Sequence, residues 1–581
     1  NDSFSSWKNR FQNYWFGTTK DEEESNNTIK NYHEFWNLSK ALRIEFSDLY
    51  GGENAARALL ERGLTTFATT TTSINTPPSD IVATACRFHQ SSSSGVFKMA
   101  FGGYSVTVGR GNYFNQSYPF VLQGLLEPIM ASLQIELQVR NAAIGGIPSF
   151  PYGWCMENFW QLSSSNNHVD VVSWDYSMNE AGGIPQGLEA YLRQIYAQSH
   201  NIDNNNIPLL VVKDTHMAKE RRDLLQQYAA DGGGMTRDTI VIHVDPAIRP
   251  FVSRKEQDRP KGFQEWRKFG APPDAPGQSA HHPALAEHKL LGWMLTMHFL
   301  AALEYYVLQL EGKLPQQTTM AANNNHRQQQ QQCLQQEIKA SLPTYPISVN
   351  NTVSTASSNI LFSTSHHVHC RTSYEPIVMG KLSEIVTSGV AVAENEQRQE
   401  VLSFLPKKGL HQYNKGWVLD LSTSERLAKR KLDRYGGLGF VDSKKAYYGI
   451  YNSGPISFHI PTNSSSSSSN KVVVKSIVLC RVNERERPSE ACDLTTHVEY
   501  LIGSINMTNN GTIMSQPGTL YLGHSLCMQF QIPSSLSRRI LSVYNGIVGV
   551  NVTVRVMDIH IRKTELACSI SHVIWEEGEE I

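Results

Sequence analysis

One serine in the chain lies where a nucleophile is expected. Ser105 belongs to the segment 103–109 (Gly-Tyr-Ser-Val-Thr-Val-Gly), which directly follows the apolar run 96–101. A strand that ends in a glycine-flanked serine presents the hydroxyl at a tight turn into a helix. Backbone N–H groups of that turn can stabilise a developing oxyanion. The segment therefore predicts nucleophilic chemistry at Ser105.

A serine hydroxyl is a weak nucleophile unless a general base lies within hydrogen-bond reach. His282 is the candidate base, because it precedes Pro283 on a loop just before the apolar helical pattern 285–310. Loops that follow parallel strands gather at the carboxyl edge of a sheet, so distant loops can meet there. His281 is the alternative base, and the spacing to the proline favours His282.

Four segments, in chain order, resemble the four sequence blocks of the SGNH (GDSL-type) hydrolase superfamily. They are 103–109, 141–146 (Asn-Ala-Ala-Ile-Gly-Gly), 177–180 (Ser-Met-Asn-Glu) and 282–288 (His-Pro-Ala-Leu-Ala-Glu-His). The resemblance spans about 96–310. It implies a flavodoxin-like α/β sandwich with a five-stranded parallel sheet, and serine esterase activity. It also implies an oxyanion hole made by the backbone N–H groups of Ser105 and Gly146 and the side-chain amide of Asn179.

The chain departs from the family pattern beside the nucleophile and at the acidic member of the triad. Tyr104 stands where the family has aspartate, and Ser279 stands three positions before the histidine, where the family again has aspartate. Loss of the acid that orients the imidazole can cost about four orders of magnitude in turnover. The sequence leaves open a Ser–His dyad oriented by a backbone carbonyl, an acid supplied by Asp274 or Asp245, or an inactive site.

Length and composition bound the remaining possibilities. The chain has 581 residues, 40% of them hydrophobic and 18% charged, with a formal net charge of -1. This length predicts more than one core, and the near-neutral charge gives no field that attracts nucleic acid. No Cys-x-x-Cys pair occurs, so we expect no structural zinc site. We also expect no other metal site and no cofactor.

Cysteines and glycosylation sequons favour an oxidising, extracellular setting. Nearby pairs predict Cys480–Cys492 as a loop staple and Cys527–Cys568 as a link between strands, although connectivity does not follow from sequence alone. The remaining disulfide candidates are Cys86, Cys155, Cys333 and Cys370. The glycosylation candidates are Asn26, Asn37, Asn115, Asn350, Asn463, Asn506, Asn510 and Asn551, with a further sequon at Asn1. The polar start of the chain is expected of a secreted protein whose leader has been removed.

The pattern along the chain predicts four regions. Residues 1–95 read as a helical extension that packs on the catalytic domain, and 96–313 alternate strands with helix-length segments, as a parallel α/β sheet requires. Residues 314–372 form a polar Gln/Asn-rich linker. Residues 373–581 contain short β-branched and aromatic runs between turns, which predict an all-β sandwich. The apolar stretch 290–310 is about as long as a membrane span, but its His298, Glu304 and Gln309 favour a buried helix, so we expect no span.

These observations predict a secreted serine esterase that hydrolyses O-acyl esters, with an ester or glycan, such as a polysaccharide, as its substrate. The alternative is an inactive extracellular glycoprotein that keeps the same fold as a structural or glycan-binding scaffold, in a matrix or cell-surface assembly.

Overall fold

The computed structural model describes two groups of residues. The first comprises 32–66, 79–110, 112, 114–160, 169–180, 186–200, 208–213, 219–230, 239–264, 266 and 282–311. The second comprises 368–372, 374–375, 418–421, 443–449, 455–461, 472–480, 498–508, 511–516, 525–533, 540–544, 547–556 and 568–579. We call them the α/β part and the β part.

The α/β part alternates helices and strands along the chain. Its helices are α1 (His33–Leu49), α2 (Glu53–Gly63), α3 (Ser79–Ser94), α4 (Ser105–Val108), α5 (Tyr118–Ser132), α6 (Ser149–Tyr152), α7 (Met156–Phe159), α8 (Gln186–His200), α9 (Lys219–Ala230), α10 (Val244–Val252), α11 (Lys261–Gln264) and α12 (Leu285–Leu310). Its strands are β1 (Leu64–Thr66), β2 (Val96–Gly103), β3 (Glu136–Asn141), β4 (Val171–Asp175), β5 (Leu209–Lys213) and β6 (Ile240–Ile242).

The strands form one six-stranded sheet in the order β1-β6-β5-β4-β2-β3. Strands β2 to β6 are parallel, whereas β1 pairs antiparallel with β6. The prediction of a purely parallel five-stranded sheet is therefore incomplete. The three residues Leu-Thr-Thr of β1 follow α2 directly and add an antiparallel edge strand. A segment of three residues is too short for its sequence pattern to predict a strand.

Both faces of the sheet are buried, and the strand sequences show why. Strands β4 (Val-Val-Ser-Trp-Asp) and β5 (Leu-Leu-Val-Val-Lys) are nearly continuous apolar runs, as expected of parallel strands covered on both sides. Alternate residues enter two different cores. Phe97, Met99 and Phe101 pack with α1, α3, α5 and α12, whereas Ala100 packs on the opposite face with residues of α6 to α9.

Helix α12 is the longest helix that the structure describes. It is the one described helix whose length and composition would allow it to cross a membrane, yet most of it is buried within the protein. Its side chains join those of α1, α3 and α5 in the same core, where Phe46 and Trp293 have ring centroids 5.7 Å apart. The described contacts are those of a core helix.

The β part consists of antiparallel strands. They are β7 (Val368–Thr372), β8 (Tyr374–Glu375), β9 (Val418–Leu421), β10 (Ser443–Gly449), β11 (Pro455–Pro461), β12 (Val472–Cys480), β13 (Val498–Ile502), β14 (Ile505–Asn506), β15 (Gly511–Gln516), β16 (Ser525–Gln531), β17 (Leu541–Tyr544), β18 (Ile547–Val556), β19 (Cys568–Ile570) and β20 (His572–Glu579). Strand β7 lies inside the region 314–372 that was predicted as a linker, yet its residues pair with those of β20. The predicted boundary at 372 therefore falls within the β part.

Two five-stranded sheets of the β part face each other across one core. One has the order β11-β18-β13-β14 with β17 beside β18, and the other has the order β15-β16-β12-β20-β7. Their inward side chains, such as Phe458, Ile477 and Trp575, form a common cluster. This arrangement fits the sandwich that the β-branched runs predict.

The second of these sheets is also covered on its other face. Val368, Val478 and Ile574 pack into the same cluster as Trp154 and Tyr152 of the α/β part. Side chains alternate across a strand, so one sheet contributes to the sandwich core and to the contact between the two parts. The Cys155–Cys370 disulfide joins the two parts covalently at this contact.

The disulfide pairing corrects the sequence prediction. Cys480 of β12 bonds to Cys527 of β16, its direct neighbour in the strand register. Neither Cys480–Cys492 nor Cys527–Cys568 forms. Cys86 and Cys568 are also disulfide-bonded, and Cys333 and Cys492 lie outside the described residues. Proximity along the chain misled the prediction, because the register of β12 and β16 brings together cysteines 47 positions apart.

We expect the Cys155→Ala/Cys370→Ala variant to lower the free energy of unfolding by about 2 to 5 kcal/mol. This disulfide closes a loop of 215 positions, whereas Cys480–Cys527 closes one of 47. In the chain-entropy model the longer loop contributes about 1 kcal/mol more. Denaturant titrations of this variant and of a Cys480→Ala/Cys527→Ala control measure the difference. Equal or reversed losses would contradict the prediction.

Buried His572 makes stability depend on pH. Burial lowers the pKa of its imidazole from 6.5 to about 3. Between these values the unfolded chain binds a proton that the folded chain excludes, so stability falls as the pH falls. The slope for one such group is about 1.4 kcal/mol per pH unit. We expect His572→Gln to flatten the stability profile by that amount between pH 6 and 4, and denaturant titrations across this range measure the slope. A variant whose slope equals that of the wild type would contradict the prediction.

Candidate active site

Ser105 begins a short helix at the carboxyl edge of the sheet. Strand β2 ends at Gly103, and α4 starts two positions later. The backbone N–H of Tyr104 donates to the carbonyl of Asp175 on the neighbouring strand at 3.0 Å. Gly109 ends α4 with φ +85°, a conformation that favours glycine. Ser105 therefore occupies the sharp strand-to-helix turn that its glycine-flanked sequence indicates, with 6% of its surface exposed.

His282 meets Ser105 although 177 positions separate them. The Nε2 atom of His282 lies 2.8 Å from the Ser105 Oγ atom. The loop that carries His282 is held by Asn112, whose buried amide donates to the carbonyl of Pro283 at 3.0 Å. Asn112 follows the nucleophile turn, so one hydrogen bond connects the loop of the serine to the loop of the histidine.

Two links bring the loop after β3 next to the loop after β4. The Asn179 Nδ2 atom donates to the carbonyl of Ile147 at 3.0 Å. The Glu180 carboxylate accepts from the backbone N–H of Ser149 at 2.7 Å and also from its hydroxyl. Gly146 adopts φ +74°, which lets the chain turn immediately before Ile147. Gly146 and Asn179 thus belong to two loops that are hydrogen-bonded to each other. The amide of Asn179 keeps a second N–H for other partners.

Asn141, the first residue of the second block, supports the nucleophile turn. Its Nδ2 atom donates to the carbonyl of Thr107 in α4 at 2.7 Å and to the Ser117 Oγ atom at 3.1 Å. Its Oδ1 atom accepts from the backbone N–H of Ala143 at 3.2 Å. A fully buried amide with these three partners fixes α4 against the loop that follows β3.

Burial controls the ionisable groups behind the turn. Burial raises the pKa of the Asp175 carboxyl, whereas Lys213 and Thr107 lower it. Burial likewise raises the pKa of the Glu180 carboxyl, whereas the hydrogen bonds from Ser149 lower it. Burial also raises the pKa of the Tyr104 hydroxyl, with smaller contributions from Asp175 and Glu287. The Tyr104 phenol therefore stays protonated where the family has a carboxylate.

The two histidines of the last block differ in environment. His288 is fully buried in α12 and stacks on Tyr118, with ring centroids 6.4 Å apart. Burial, assisted by Lys213, lowers its pKa to about 3. His282 is partly exposed on the loop before α12. His288 therefore stays neutral inside the core, and His282 is the histidine that faces Ser105.

The proposed acid helpers have different placements. Asp245 is exposed in the first turn of α10, which follows β6, and β6 is separated from β2 by two strands. Strand spacing puts β6 about 14 Å from β2. Asp274, His281 and Ser279 lie outside the described residues. Which group orients the His282 imidazole therefore stays a prediction.

Four of the predicted glycosylation sites can be located. Asn37, Asn115 and Asn506 are exposed, and Asn551 is half-buried in β18, where its Oδ1 atom lies 2.9 Å from His459 Nδ1. Asn1, Asn26, Asn350, Asn463 and Asn510 lie outside the described residues.

Sequence reasoning missed several residues that hold the turn in place. Thr107 lies in the nucleophile segment but was given no role of its own, and Asn112, Asp175 and Lys213 lie outside all four segments. Each of the four nevertheless contacts the turn or its loops. Asp175 and Lys213 are single charged residues that end otherwise apolar strands. A charge at the carboxyl end of a buried strand is the signal that could have identified them. In the part of the chain that the structure describes, no cluster of three His, Cys, Asp or Glu side chains could hold a metal ion.

Comparisons with known proteins give one kind of match. No family model matches the chain, and no curated protein matches it either. The chain is similar to a crystal structure of a two-domain esterase (CEX) active on acetylated mannans, at 13% identity and a TM-score of 0.37, covering 90% of this chain and 98% of that one. The same esterase co-crystallised with mannopentaose gives 13% identity and a TM-score of 0.38, covering 90% and 99%. These low values carry no argument about function, which rests on the geometry of the site.

Proposed function

We propose that this protein is a serine esterase of SGNH type that hydrolyses O-acyl esters. The observation that carries the proposal is the distance of 2.8 Å between Ser105 Oγ and His282 Nε2. A nucleophile and a base within hydrogen-bond reach are the minimum that acyl transfer requires. The position of both at the carboxyl edge of a parallel sheet, where α/β folds bind ligands, supports the same function.

In the proposed mechanism, His282 Nε2 takes the proton from Ser105 as Oγ attacks the acyl carbon. The carbonyl electron pair moves to oxygen, and the backbone N–H groups of Ser105 and Gly146 and the amide of Asn179 stabilise the resulting oxyanion. The intermediate then releases the alcohol, which takes the proton from His282, and leaves Ser105 acylated. Water attacks the acyl group in the same way and frees the carboxylic acid and the serine.

The substrate and the setting are further parts of the proposal. The β part is fixed to the α/β part by a disulfide and a shared apolar core. A second part held firmly against the proposed catalytic part suits a large substrate, and we propose an O-acylated polysaccharide. Disulfides persist in oxidising compartments, so we also propose that the protein is secreted and carries glycans at its exposed sequons.

A fluorophosphonate probe tests the proposal on the full-length protein. We expect a single adduct that peptide mapping assigns to Ser105, together with acetate release from an aryl acetate and from an acetylated polysaccharide. A folded protein that neither takes up the probe nor releases acetate would instead establish the scaffold alternative. Labelling at a serine other than Ser105 would overturn the assigned site.

Asn179→Ala is expected to lower kcat by about 10²- to 10³-fold, with KM changed only slightly, because an oxyanion donor acts mainly on the transition state. Steady-state kinetics on the aryl acetate measure the effect. Met178→Leu is the matched control, since Met178 is the exposed neighbour on the same loop. A loss confined to KM would show that Asn179 binds the ground state and is not an oxyanion donor.

A further inference from the structure

Three neighbouring strand ends form a row beneath the nucleophile turn. Gly103 of β2 is paired with Asp175 of β4, and Trp174 is paired with Val212 of β5, so Lys213 lies beside Asp175. A Cβ atom at Gly103 would lie 2.1 Å from the Thr107 Oγ1 atom. Thr107 therefore occupies the space that a side chain at position 103 would fill.

The side chains of this row are connected through one oxygen atom. The Thr107 hydroxyl donates to the Asp175 Oδ2 atom at 2.6 Å, and the Lys213 Nζ atom lies 3.8 Å from the same oxygen. Thr107 and Asp175 have no exposed surface, and Lys213 is 2% exposed. A buried charge is strongly unfavourable without a partner, so each of these two charges requires the other.

Thr107 connects the Asp175–Lys213 ion pair to the helix that carries the nucleophile. It lies two positions after Ser105 in the four-residue helix α4, and its carbonyl accepts from Asn141 at 2.7 Å. The side chain and the carbonyl of one residue are thus held from opposite directions. A small displacement of a reacting group can cost about a hundredfold in rate, so the fixing of α4 has a direct consequence for Ser105.

We propose that Asp175 and Lys213 are positioning residues, a buried ion pair that holds Ser105 in its reactive geometry through Thr107. This inference rests on the proposed esterase function. It adds to that site two charged residues that fix the position of the nucleophile turn. The Lys213 charge favours the ionised form of the Asp175 carboxyl, and an ionised carboxylate is the stronger acceptor for the Thr107 hydroxyl.

The charges around Asp175 set its response to pH. Burial raises the pKa of Asp175, and Lys213 and Thr107 lower it. The other titratable groups that face this cluster are Tyr104 of the turn, Tyr118 of α5, and Glu287 and His288 of α12. Lys213 supplies the positive charge, because His288 stays neutral and the remaining groups are phenols or a carboxyl. Removal of the Lys213 charge will therefore raise the pKa of Asp175 further.

Two matched substitutions at position 107 test the contact with the turn. Thr107→Val has nearly the same shape and lacks the hydroxyl, whereas Thr107→Ser keeps it. We expect Thr107→Val to lower kcat by about 10- to 100-fold at nearly constant KM, and Thr107→Ser to stay within about threefold of the wild type. Equal kcat values for the wild type and Thr107→Val would overturn the inference.

Lys213→Met tests the charge. We expect the acidic limb of its kcat/KM profile to move to higher pH, whereas a merely structural role would lower stability and leave that limb in place.

The Asp175→Asn/Lys213→Met variant removes both charges and should unfold at a higher temperature than either single variant, as a coupled pair requires. Additive losses or an unmoved limb would overturn the inference. A wild type that takes up no fluorophosphonate overturns the proposed function and this inference together, and a labelled wild type with unaffected variants overturns this inference alone.

Discussion

Ser105→Ala is expected to abolish fluorophosphonate labelling and to lower kcat for ester hydrolysis by about 10⁴-fold or more. The Oγ atom is the only atom that the substitution removes, and in the proposed mechanism this atom forms the covalent bond to the acyl group. The turn itself is held by groups that alanine leaves in place, namely the Tyr104 N–H bond to Asp175 and the Asn141 bond to the Thr107 carbonyl. The loss should therefore appear in turnover and not in folding.

Initial rates on an aryl acetate, with thermal unfolding as the test of folding, measure this effect. Ser173→Ala is the matched control, because Ser173 is a buried serine of the adjacent strand whose hydroxyl donates to the carbonyl of Gly102 at 2.9 Å. We expect that control to keep its labelling and most of its rate. A Ser105→Ala protein that still turns over the ester at the wild-type rate would show that another group performs the chemistry.

His282→Ala is expected to lower kcat by about 10³- to 10⁴-fold. In the proposed mechanism the imidazole, whose Nε2 atom lies 2.8 Å from the Ser105 Oγ atom, accepts the serine proton, and without it the hydroxyl remains a weak nucleophile. Because the serine and the histidine act as one unit, the Ser105→Ala/His282→Ala variant should be no slower than the worse of the two single variants. Kinetics of the four proteins complete the double-mutant cycle, and multiplicative losses would contradict a shared step.

His288 provides the internal comparison for His282. The two histidines belong to the same sequence block, but the His288 ring is fully buried and burial lowers its pKa to about 3. His288→Gln is expected to change stability and to leave the pH dependence of kcat unchanged. If His288→Gln and not His282→Ala removed the titration from the rate profile, the assignment of the base would be wrong.

Part of the fold could be predicted because its signals are local. Continuous apolar runs such as those of β4 and β5 predicted buried parallel strands, and short β-branched runs predicted the sandwich. The antiparallel strand β1 could not be predicted, since three residues carry no periodicity and their pairing with β6 depends on packing far along the chain. The prediction of the disulfide pairs failed for the same reason, because the register of β12 and β16 sets the partner of Cys480.

The amino-acid sequence alone determined which residue types are available for catalysis and their order along the chain. Ser105, Gly146, Asn179 and His282 follow one another in motifs that resemble those of a known superfamily. Only the tertiary structure decided which groups touch: that the predicted base His282 lies against the serine, and that Thr107, Asp175 and Lys213 meet behind it. The physical reason is that strand registers and loop contacts set these distances, and they join residues up to 177 positions apart whose local sequence carries no information about each other.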